Sequence, residues 1–426
     1  MKVQIFEQLT GGHYTEYIHY LLPTLVRLID EKLINEVVVT ITPKHLKSDS
    51  FQHQLSKFSS SVHFDPCLQE VNPCLSLDPR LLVKSPTSFI SALQRRTQIE
   101  TNLINSVHRI KPDYLISTTA ETQSSITGSL KSLLGRQFLP KHIRSQGIFH
   151  YGSGGTATSI VDTIKDLCYR SMWKHSPWSR LLFVNPLIYE HLKQQGTSFA
   201  KRFDLVPNPV PTFTSVDKTS ARKALKIPME GRYIGFIGSI DARVAIPELI
   251  AAFRAATSNP TDRLLLAGRI LPRYKKLLEE EFKALIEHKR LILIDRYLDL
   301  EEINLGYSAL DAVSLLYYKR ANLSANLLKA VSAQRPAIAN DYGYTGMMVK
   351  RFDIGWSCDV SDHQALVATL RKSLEACEAY HVNERTSRLI QFHHPDNYAA
   401  TVLKDLHSLV MPDHHNQPKT WEWVIG

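Results

Sequence analysis

Long apolar runs, paired cysteines and low-complexity segments are all missing from this 426-residue sequence. The longest apolar stretches, residues 20–28 and 36–41, are interrupted well before the roughly 20 residues that a membrane-spanning helix needs. Residues 1–6 fit a strand better than a signal peptide, because no small-residue cleavage site follows them. We therefore expect a cytoplasmic protein that does not cross a bilayer.

Cysteine and histidine give no sign of a disulfide framework or a metal site. The five cysteines are odd in number and scattered, and none stands in a Cys-x-x-Cys pair, which is typical of free thiols in a reducing compartment. The adjacent histidines at 393–394 and 414–415 lack the ligand spacing of a zinc site. No metal is predicted.

Acidic residues are absent from residues 122–161, in a chain whose net charge is +10. Lys131, Arg136, Lys141 and Arg144 alternate there with leucines and other apolar residues. Two interpretations stay open: a basic amphipathic element at an anionic membrane surface, or a solvated helix whose leucines face the core. A polyanion-binding protein is a third-ranked hypothesis, and nucleic acid is not an expected partner because no known nucleic-acid-binding signature occurs.

Short β-branched runs alternate with amphipathic segments of helix length, a pattern typical of parallel sheets built from βαβ units. The predicted strands are residues 3–6, 37–41, 114–117, 147–150 and 181–184, then 233–238, 264–268, 291–295, 312–316 and 337–340. The predicted helices include 14–28, 246–256 and 325–332. This order predicts an α/β protein with two doubly wound, Rossmann-like domains.

Prolines divide the chain near its middle. The proline-rich residues 205–212 favour an extended linker, so we predict domains at 1–206 and 219–390, a linker at 207–218, and a C-terminal helix and tail at 391–426 that returns to the first domain. Ligands of such sheets bind beyond the carboxyl ends of the strands. We therefore expect the functional residues in the loops after the strands, at a cleft between the domains.

A glycine pair follows the first predicted strand, where Gly11 and Gly12 precede His13 and a helix. Glycines at such a turn let backbone amides approach an anionic ligand, and a helix N-terminus favours negative charge. A plain tight turn is the more frequent explanation of a glycine pair. The spacing is not G-x-G-x-x-G, so no nicotinamide or flavin site is predicted.

The second half begins in a similar way. Gly238 and Ser239 end its first strand, and Arg243 lies near the start of helix 246–256. This arginine can pair with a diphosphate, or it can simply face solvent.

A further candidate anion site precedes helix 325–332. Asn322, Leu323 and Ser324 lead into this helix, which carries Lys329. Capping of the helix would by itself explain Ser324.

The order of these pieces resembles glycosyltransferase family four, the retaining GT-B enzymes. Residues 207–210 (PNPV) are similar to the family's inter-domain Pro-Asn-Gly/Pro-Val segment, and residues 266–269 (LAGR) to its Val-Gly-Asp/Glu-Gly strand end. Residues 328–339 (LKAVSAQRPAIA) resemble its Leu-Glu-Ala-Met-Ala-x-Gly-x-Pro-Val-Ile-Ala segment, and residues 149–150 match its first-domain pattern.

The resemblance implies a GT-B fold and transfer of a sugar from a nucleotide-diphosphate sugar with retention, without metal or resident cofactor. It implies that the donor lies on the second domain, the acceptor (a sugar, a lipid-linked sugar or a small molecule) on the first, and His150 as catalytic residue at the transferred sugar. The expected donor contacts are Gly11, Gly12, Gly238, Ser239, Arg243, Gly268, Arg269, Tyr297, Leu298, Asn322, Leu323, Ser324 and Lys329. The expected acceptor-side residues are His13, Gly152 and Ser153.

The chain departs from the family pattern at its charged positions. Ala321 and Lys329 stand where the family has two glutamates, and Ser239 and Val244 replace its diphosphate-binding arginine and lysine, with Arg243 one position away. A lysine cannot accept hydrogen bonds from ribose hydroxyls, so Lys329 must have a different role, such as binding phosphate or pairing with a carboxylate. These departures keep open a second hypothesis, a catalytically silent homologue that acts as a binding or scaffold subunit.

Overall fold

The protein is represented by a computed structural model that describes residues 1–10, 13–71, 85–123, 139–140, 142–150, 160–196, 200–318, 324–412 and 417–426. Its contacts divide the chain into two compact units. Unit 1 comprises Met1–Pro209 and Pro395–Trp421, and unit 2 comprises Val210–His394 and Glu422–Gly426. Each unit is an α/β domain built around its own parallel sheet.

Unit 1 contains a seven-stranded sheet with the order β3-β2-β1-β4-β5-β6-β7, in which neighbouring strands pair in parallel. Its strands are β1 (Lys2–Phe6), β2 (Glu36–Thr40), β3 (His63–Asp65), β4 (Tyr114–Ser117), β5 (Arg144–Phe149), β6 (Arg180–Phe183) and β7 (Phe203–Leu205). The order of the strands reverses between β1 and β4, which makes this the topological switch point where open parallel sheets bind ligands beyond the carboxyl ends of their strands.

The described helices of unit 1 connect these strands and cover the sheet. They are α1 (His13–Asp30), α2 (Pro43–Leu46), α3 (Asp49–Gln54), α4 (Pro86–Ile110), α5 (Ile160–Lys174), α6 (Pro186–Gln194), α16 (Pro395–Val402) and α17 (Lys404–Val410), numbered in chain order. Leucines 21, 22, 25 and 28 of α1 are all fully buried and recur at helical spacing, which explains why this segment packs on the sheet.

Unit 2 contains a six-stranded sheet with the order β10-β9-β8-β11-β12-β13, again parallel. Its strands are β8 (Tyr233–Ile237), β9 (Arg263–Ala267), β10 (Leu291–Ile294), β11 (Ala312–Leu315), β12 (Ala337–Asn340) and β13 (Gly355–Cys358). All five residues of β8 are buried, as expected for a central strand covered on both faces.

The helices of unit 2 follow its strands in alternation. They are α7 (Lys218–Ala224), α8 (Ile246–Ala256), α9 (Pro272–Glu281), α10 (Lys283–Glu287), α11 (Leu300–Ala309), α12 (Ala325–Ser332), α13 (Gly343–Phe352), α14 (His363–Ala376), α15 (Glu384–Phe392) and α18 (Trp421–Ile425). The C-terminal segment thus contributes to both units, since α16 and α17 pack in unit 1 and residues 422–426 in unit 2.

The predicted class of fold is confirmed, with shifts at individual strands. Helices α8 and α12 have the predicted bounds, while β5 begins at Arg144, three residues earlier than predicted, and leaves His150 just beyond its end. Arg144 therefore lies on a strand and not on the expected amphipathic helix; Lys131, Arg136 and Lys141 lie outside the described residues. Strands β3, β7 and β13 were not predicted.

Candidate functional site

In unit 1, polar side chains gather where three neighbouring strands end. Glu7 directly follows β1, Thr118 and Thr119 follow β4, and His150 follows β5. Strands β1, β4 and β5 are adjacent in the sheet, and their carboxyl ends lie at one edge. The fold thus brings together residues that are far apart in sequence, at the place where open parallel sheets bind ligands.

Glu7 is a fully buried carboxyl group that receives three hydrogen bonds. Its Oε1 accepts from the backbone N–H of Leu9 at 2.6 Å and from the hydroxyl of Thr119 at 2.9 Å, and its Oε2 accepts from the hydroxyl of Thr118. Burial raises the pKa of Glu7 to about 7, against the lowering effect of these donors and of His150. Glu7 can therefore exchange a proton near neutral pH.

His150 lies beside a second buried carboxylate, that of Glu121. The imidazole Nδ1 is 3.3 Å from Oε1 of Glu121, and the backbone N–H of His150 donates to Oε2 at 3.4 Å. Both side chains are almost completely buried, with 8% and 4% exposure. A carboxylate at this distance orients the imidazole and favours the tautomer with a proton on Nδ1.

Two aromatic rings of α1 pack against the imidazole of His150. The rings of Tyr17 and Tyr14 meet His150 edge-on, with centroids 4.9 and 6.2 Å away. Tyr17 in turn donates its hydroxyl hydrogen to Oδ1 of Asn208 at 2.8 Å and packs on Tyr398 of α16 at 5.2 Å. The Pro-Asn-Pro-Val motif is therefore tied to the helix that supports His150.

In unit 2, two glycines bring the ends of β8 and β9 together. Gly238 and Gly268 have positive φ angles of 144° and 130°, and the N–H of Gly238 donates to the carbonyl of Ala267 at 2.8 Å. A Cβ atom on Gly268 would lie 2.3 Å from the carbonyl oxygen of Gly238, and one on Gly238 would lie 3.1 Å from Nδ2 of Asn326. Both positions therefore require glycine.

Arg243 forms an ion pair with Asp241, two residues before it. Its Nε donates to both oxygens of Asp241 at 2.9 and 3.1 Å, and its Nη2 lies 2.6 Å from Oδ2. The guanidinium is 68% exposed, and Ser239 nearby is also exposed. A diphosphate that binds Arg243 must therefore compete with the carboxylate of Asp241.

The start of α12 rests on a network of neutral polar groups. Ser324 occupies the N-cap position but its side chain makes no capping bond. Instead its hydroxyl lies 3.0 Å from that of Tyr317, and its backbone N–H donates to Oγ1 of Thr345 at 3.1 Å. Asn326 donates to the carbonyl of Ile237 at 2.9 Å, which joins the helix start to the end of β8. The sequence-based interpretation of Ser324 as a capping residue is therefore wrong, because its side chain makes no hydrogen bond to the helix start.

The remaining described donor candidates lie near the same edge of unit 2. Arg269 is exposed directly after Gly268, Tyr297 is 54% exposed and Leu298 is buried. The guanidinium of Arg296 donates to the carbonyl of Tyr297 at 3.2 Å, a contact between adjacent residues of the loop after β10. Lys329 is half-buried on α12, one turn beyond its start. The roles assigned to these residues stay predictions.

Several predicted site residues cannot be placed. Gly11, Gly12, Gly152, Ser153, Asn322 and Leu323 lie outside the described residues. His13 is the first residue of α1, and only its backbone is described.

The described part of the chain contains neither a cluster of metal-binding side chains nor a membrane-spanning helix. Within it, we find no group of three or more His, Cys, Asp or Glu side chains positioned to hold a metal ion. Nor does any of the described helices have the length and apolar character needed to span a membrane.

Sequence reasoning missed Glu7 and Glu121. Glu7 carried a usable signal, since it is an acidic residue directly after a buried apolar strand at the edge where ligands bind. Glu121 carried none, because its approach to His150 depends on the pairing of β4 with β5.

Unit 2 is similar in sequence to a family of sugar-transferring enzymes. Residues 217–388 match the family model described as Glycosyl transferases group 1. No curated protein matches the chain in sequence.

Solved structures match over nearly the whole length of this chain at low sequence identity. HepE of Anabaena, in complex with UDP-glucose, has a TM-score of 0.61 at 12% identity, with 96% of this chain and 100% of that chain covered. Sucrose-phosphate synthase from Thermosynechococcus elongatus has a TM-score of 0.63 at 14% identity, with 97% and 100% covered. UDP-GlcNAc 2-epimerase from Neisseria meningitidis, bound to UDP-GlcNAc, has a TM-score of 0.58 at 14% identity, with 96% and 100% covered. This chain thus has the GT-B fold, and most of its second unit is similar to glycosyl transferases of group 1.

Proposed function

We propose that this protein is a retaining glycosyltransferase that moves a sugar from a nucleotide-diphosphate sugar to an acceptor hydroxyl. The observation that carries the proposal is the match of residues 217–388 to glycosyl transferases of group 1. The match covers the strand ends and the helix start of unit 2, where all the predicted donor contacts except Gly11 and Gly12 lie. The fold alone would not support transferase activity, because one protein of similar structure is UDP-GlcNAc 2-epimerase.

The donor diphosphate is proposed to lie at the carboxyl edge of the unit 2 sheet. Negative charge grows on the leaving diphosphate as the sugar–phosphate bond breaks, and fixed donors in a helix N-terminus and in glycine turns can meet it. Gly238 and Gly268 contribute by leaving space at the strand ends, because their own N–H groups already donate to the carbonyls of Ala267 and Ile294. The donors proposed for the diphosphate are the N–H groups of the first turn of α12, which Asn326 joins to the end of β8. A uridine donor is the first choice for testing, because HepE was solved with UDP-glucose.

In unit 1, His150 is proposed to contact the transferred sugar, as the family resemblance implies. Glu121 acts as a positioning residue that orients the imidazole, since its carboxylate lies 3.3 Å from Nδ1. We further propose a cytoplasmic location, with an anionic membrane surface as an additional partner, and a reaction that needs neither metal nor resident cofactor.

A silent homologue is the competing hypothesis, and one observation favours it. Arg243, the predicted substitute for the missing diphosphate cations, is already paired with Asp241. Arg243 can bind the diphosphate of a donor only if the diphosphate displaces the carboxylate of Asp241. Binding without turnover would support this alternative.

A thermal-shift screen of UDP, GDP, ADP, CMP and dTDP and their sugar conjugates tests donor binding, because a ligand that binds the native state stabilises it. We expect a selective response to one nucleotide. Arg243→Ala should reduce it, whereas Arg254→Ala, at an exposed arginine of α8, should not. The absence of any response at saturating concentrations would contradict the donor site.

A further inference from the structure

Unit 1 contains a cavity of about 970 Å³ at the carboxyl ends of β1, β2 and β3. Its lining includes Thr10 after β1, Tyr14 on α1, Lys44 and Lys47 around α2, and Glu70 after β3. Pockets of roughly 300–1,000 Å³ are typical of small-molecule sites. The cavity is therefore large enough for a sugar with a further substituent.

Two of the lining side chains are cations without a partner among the described residues. Lys44 and Lys47 are both exposed, and no ion pair or hydrogen bond of either ammonium group occurs within the described ranges. The carboxylate of Glu70 accepts a hydrogen bond from the backbone N–H of Lys44 at 2.8 Å. Burial lowers the pKa of His45, which lies between the two lysines, to about 4, so this imidazole adds no charge at neutral pH. The described residues of the lining thus carry two positive charges against one negative charge, which favours an anion.

The cavity is also linked to His150. The ring of Tyr14 lines the cavity and meets the imidazole of His150 edge-on, with centroids 6.2 Å apart. A tyrosine provides an apolar face and a polar tip, which suits a sugar ring with its C–H face and hydroxyl groups. The hydroxyl of Thr10, 3.3 Å from that of Thr42, adds a polar group to the wall.

We propose that this cavity binds the acceptor and that the acceptor is an anionic carbohydrate, with its phosphate or carboxylate on Lys44 and Lys47 and its ring against Tyr14. The assignment rests on the proposed function, because only a transferase has an acceptor. It adds the chemical class of that acceptor. The same anionic sugar can be a soluble molecule or the headgroup of a lipid.

Binding of sugars to the full chain, without any nucleotide, tests the proposal. Glucose 6-phosphate and glucuronate are compared with glucose by titration calorimetry or ligand-observed NMR. We expect the acidic sugars to bind at least about tenfold more tightly than glucose, with an affinity that falls as salt is added. Lys44→Gln and Lys47→Gln should each weaken binding about tenfold. Lys201→Gln removes an equal charge from an exposed site of the same unit and should leave binding unchanged.

A second arm distinguishes the two sources of the anionic sugar. Dodecyl glucuronide in micelles is compared with dodecyl glucoside and with free glucuronate. Tighter binding of the dodecyl glucuronide, lost in Lys44→Gln, supports a lipid-linked acceptor, and equal binding of the free and alkylated acid supports a soluble one. Equal binding of glucose and the acidic sugars, insensitivity to both lysine variants, or no binding of either acid at millimolar concentration would overturn the proposal.

These results are independent of the donor screen. A chain that responds to a nucleotide sugar but not to acidic sugars would refute only the acceptor class. A chain that binds acidic sugars at Lys44 and Lys47 but no nucleotide would refute the transferase and keep the anionic-sugar site.

Discussion

Replacing Glu7 by glutamine is expected to change how the stability of unit 1 depends on pH. The carboxyl group is buried, and burial raises its pKa from 4.5 to about 7. Because the folded-state pKa lies above the unfolded one, the folded state binds more protons between these values, and stability falls as pH rises. This difference in pKa corresponds to roughly 3 kcal/mol, most of which is lost between pH 5 and pH 8.

Urea unfolding at pH 5 and pH 8 measures this loss. Glu7→Gln keeps the shape of the side chain without its charge, so the variant should gain roughly 2–3 kcal/mol relative to the wild type on going from pH 5 to pH 8. Glu31→Gln is the matched control, since Glu31 is exposed after α1, and it should show no such gain. An equal difference between Glu7→Gln and the wild type at both pH values would refute this account of Glu7.

Two further changes address the glycine contact and the orientation of His150. Gly268→Ala should destabilise unit 2 by about 2–3 kcal/mol in urea unfolding, because the new Cβ would lie 2.3 Å from the carbonyl of Gly238. Gly196→Ala, which also has a positive φ but no atom of the described residues within 4 Å of its Cβ, should cost only about 1 kcal/mol, and equal costs would contradict the contact. Glu121→Gln should lower kcat about 100-fold with little change in KM and shift the pH profile of kcat, since it removes the charge beside His150. Glu31→Gln, at an exposed position, is the control and should change neither kcat nor its pH profile. If Glu121→Gln also leaves both unchanged, a positioning role for Glu121 is contradicted.

Much of the fold could be predicted because its central strands are short, buried and apolar. Strands β1, β4, β8 and β12 were recognised within a residue or two, since both faces of each are covered and the sequence carries near-continuous apolar runs. Strands such as β13 escaped prediction because three of its four residues are only half-buried, so no apolar run marks them.

The site was less predictable, because its chemistry depends on partners set by the fold. The sequence indicated His150 through its strand-end position, but its approach to Glu121 follows from sheet order. The pairing of Arg243 with Asp241, two residues away, is local and could not be weighed against a ligand from sequence. Ser324 follows the pattern of a cap, yet its hydroxyl lies within hydrogen-bond distance of that of Tyr317, which follows the end of β11 by two residues.

Turnover of a nucleotide sugar shows whether the protein transfers a sugar with retention. The purified chain is incubated with the nucleotide sugar selected by the thermal-shift screen and an acidic sugar acceptor, and NMR follows the anomeric proton of the donor and product. We expect release of the nucleoside diphosphate and a product glycoside with the same anomeric configuration as the donor. A donor that binds but stays intact, or a product with inverted configuration, would contradict the assignment as a retaining glycosyltransferase.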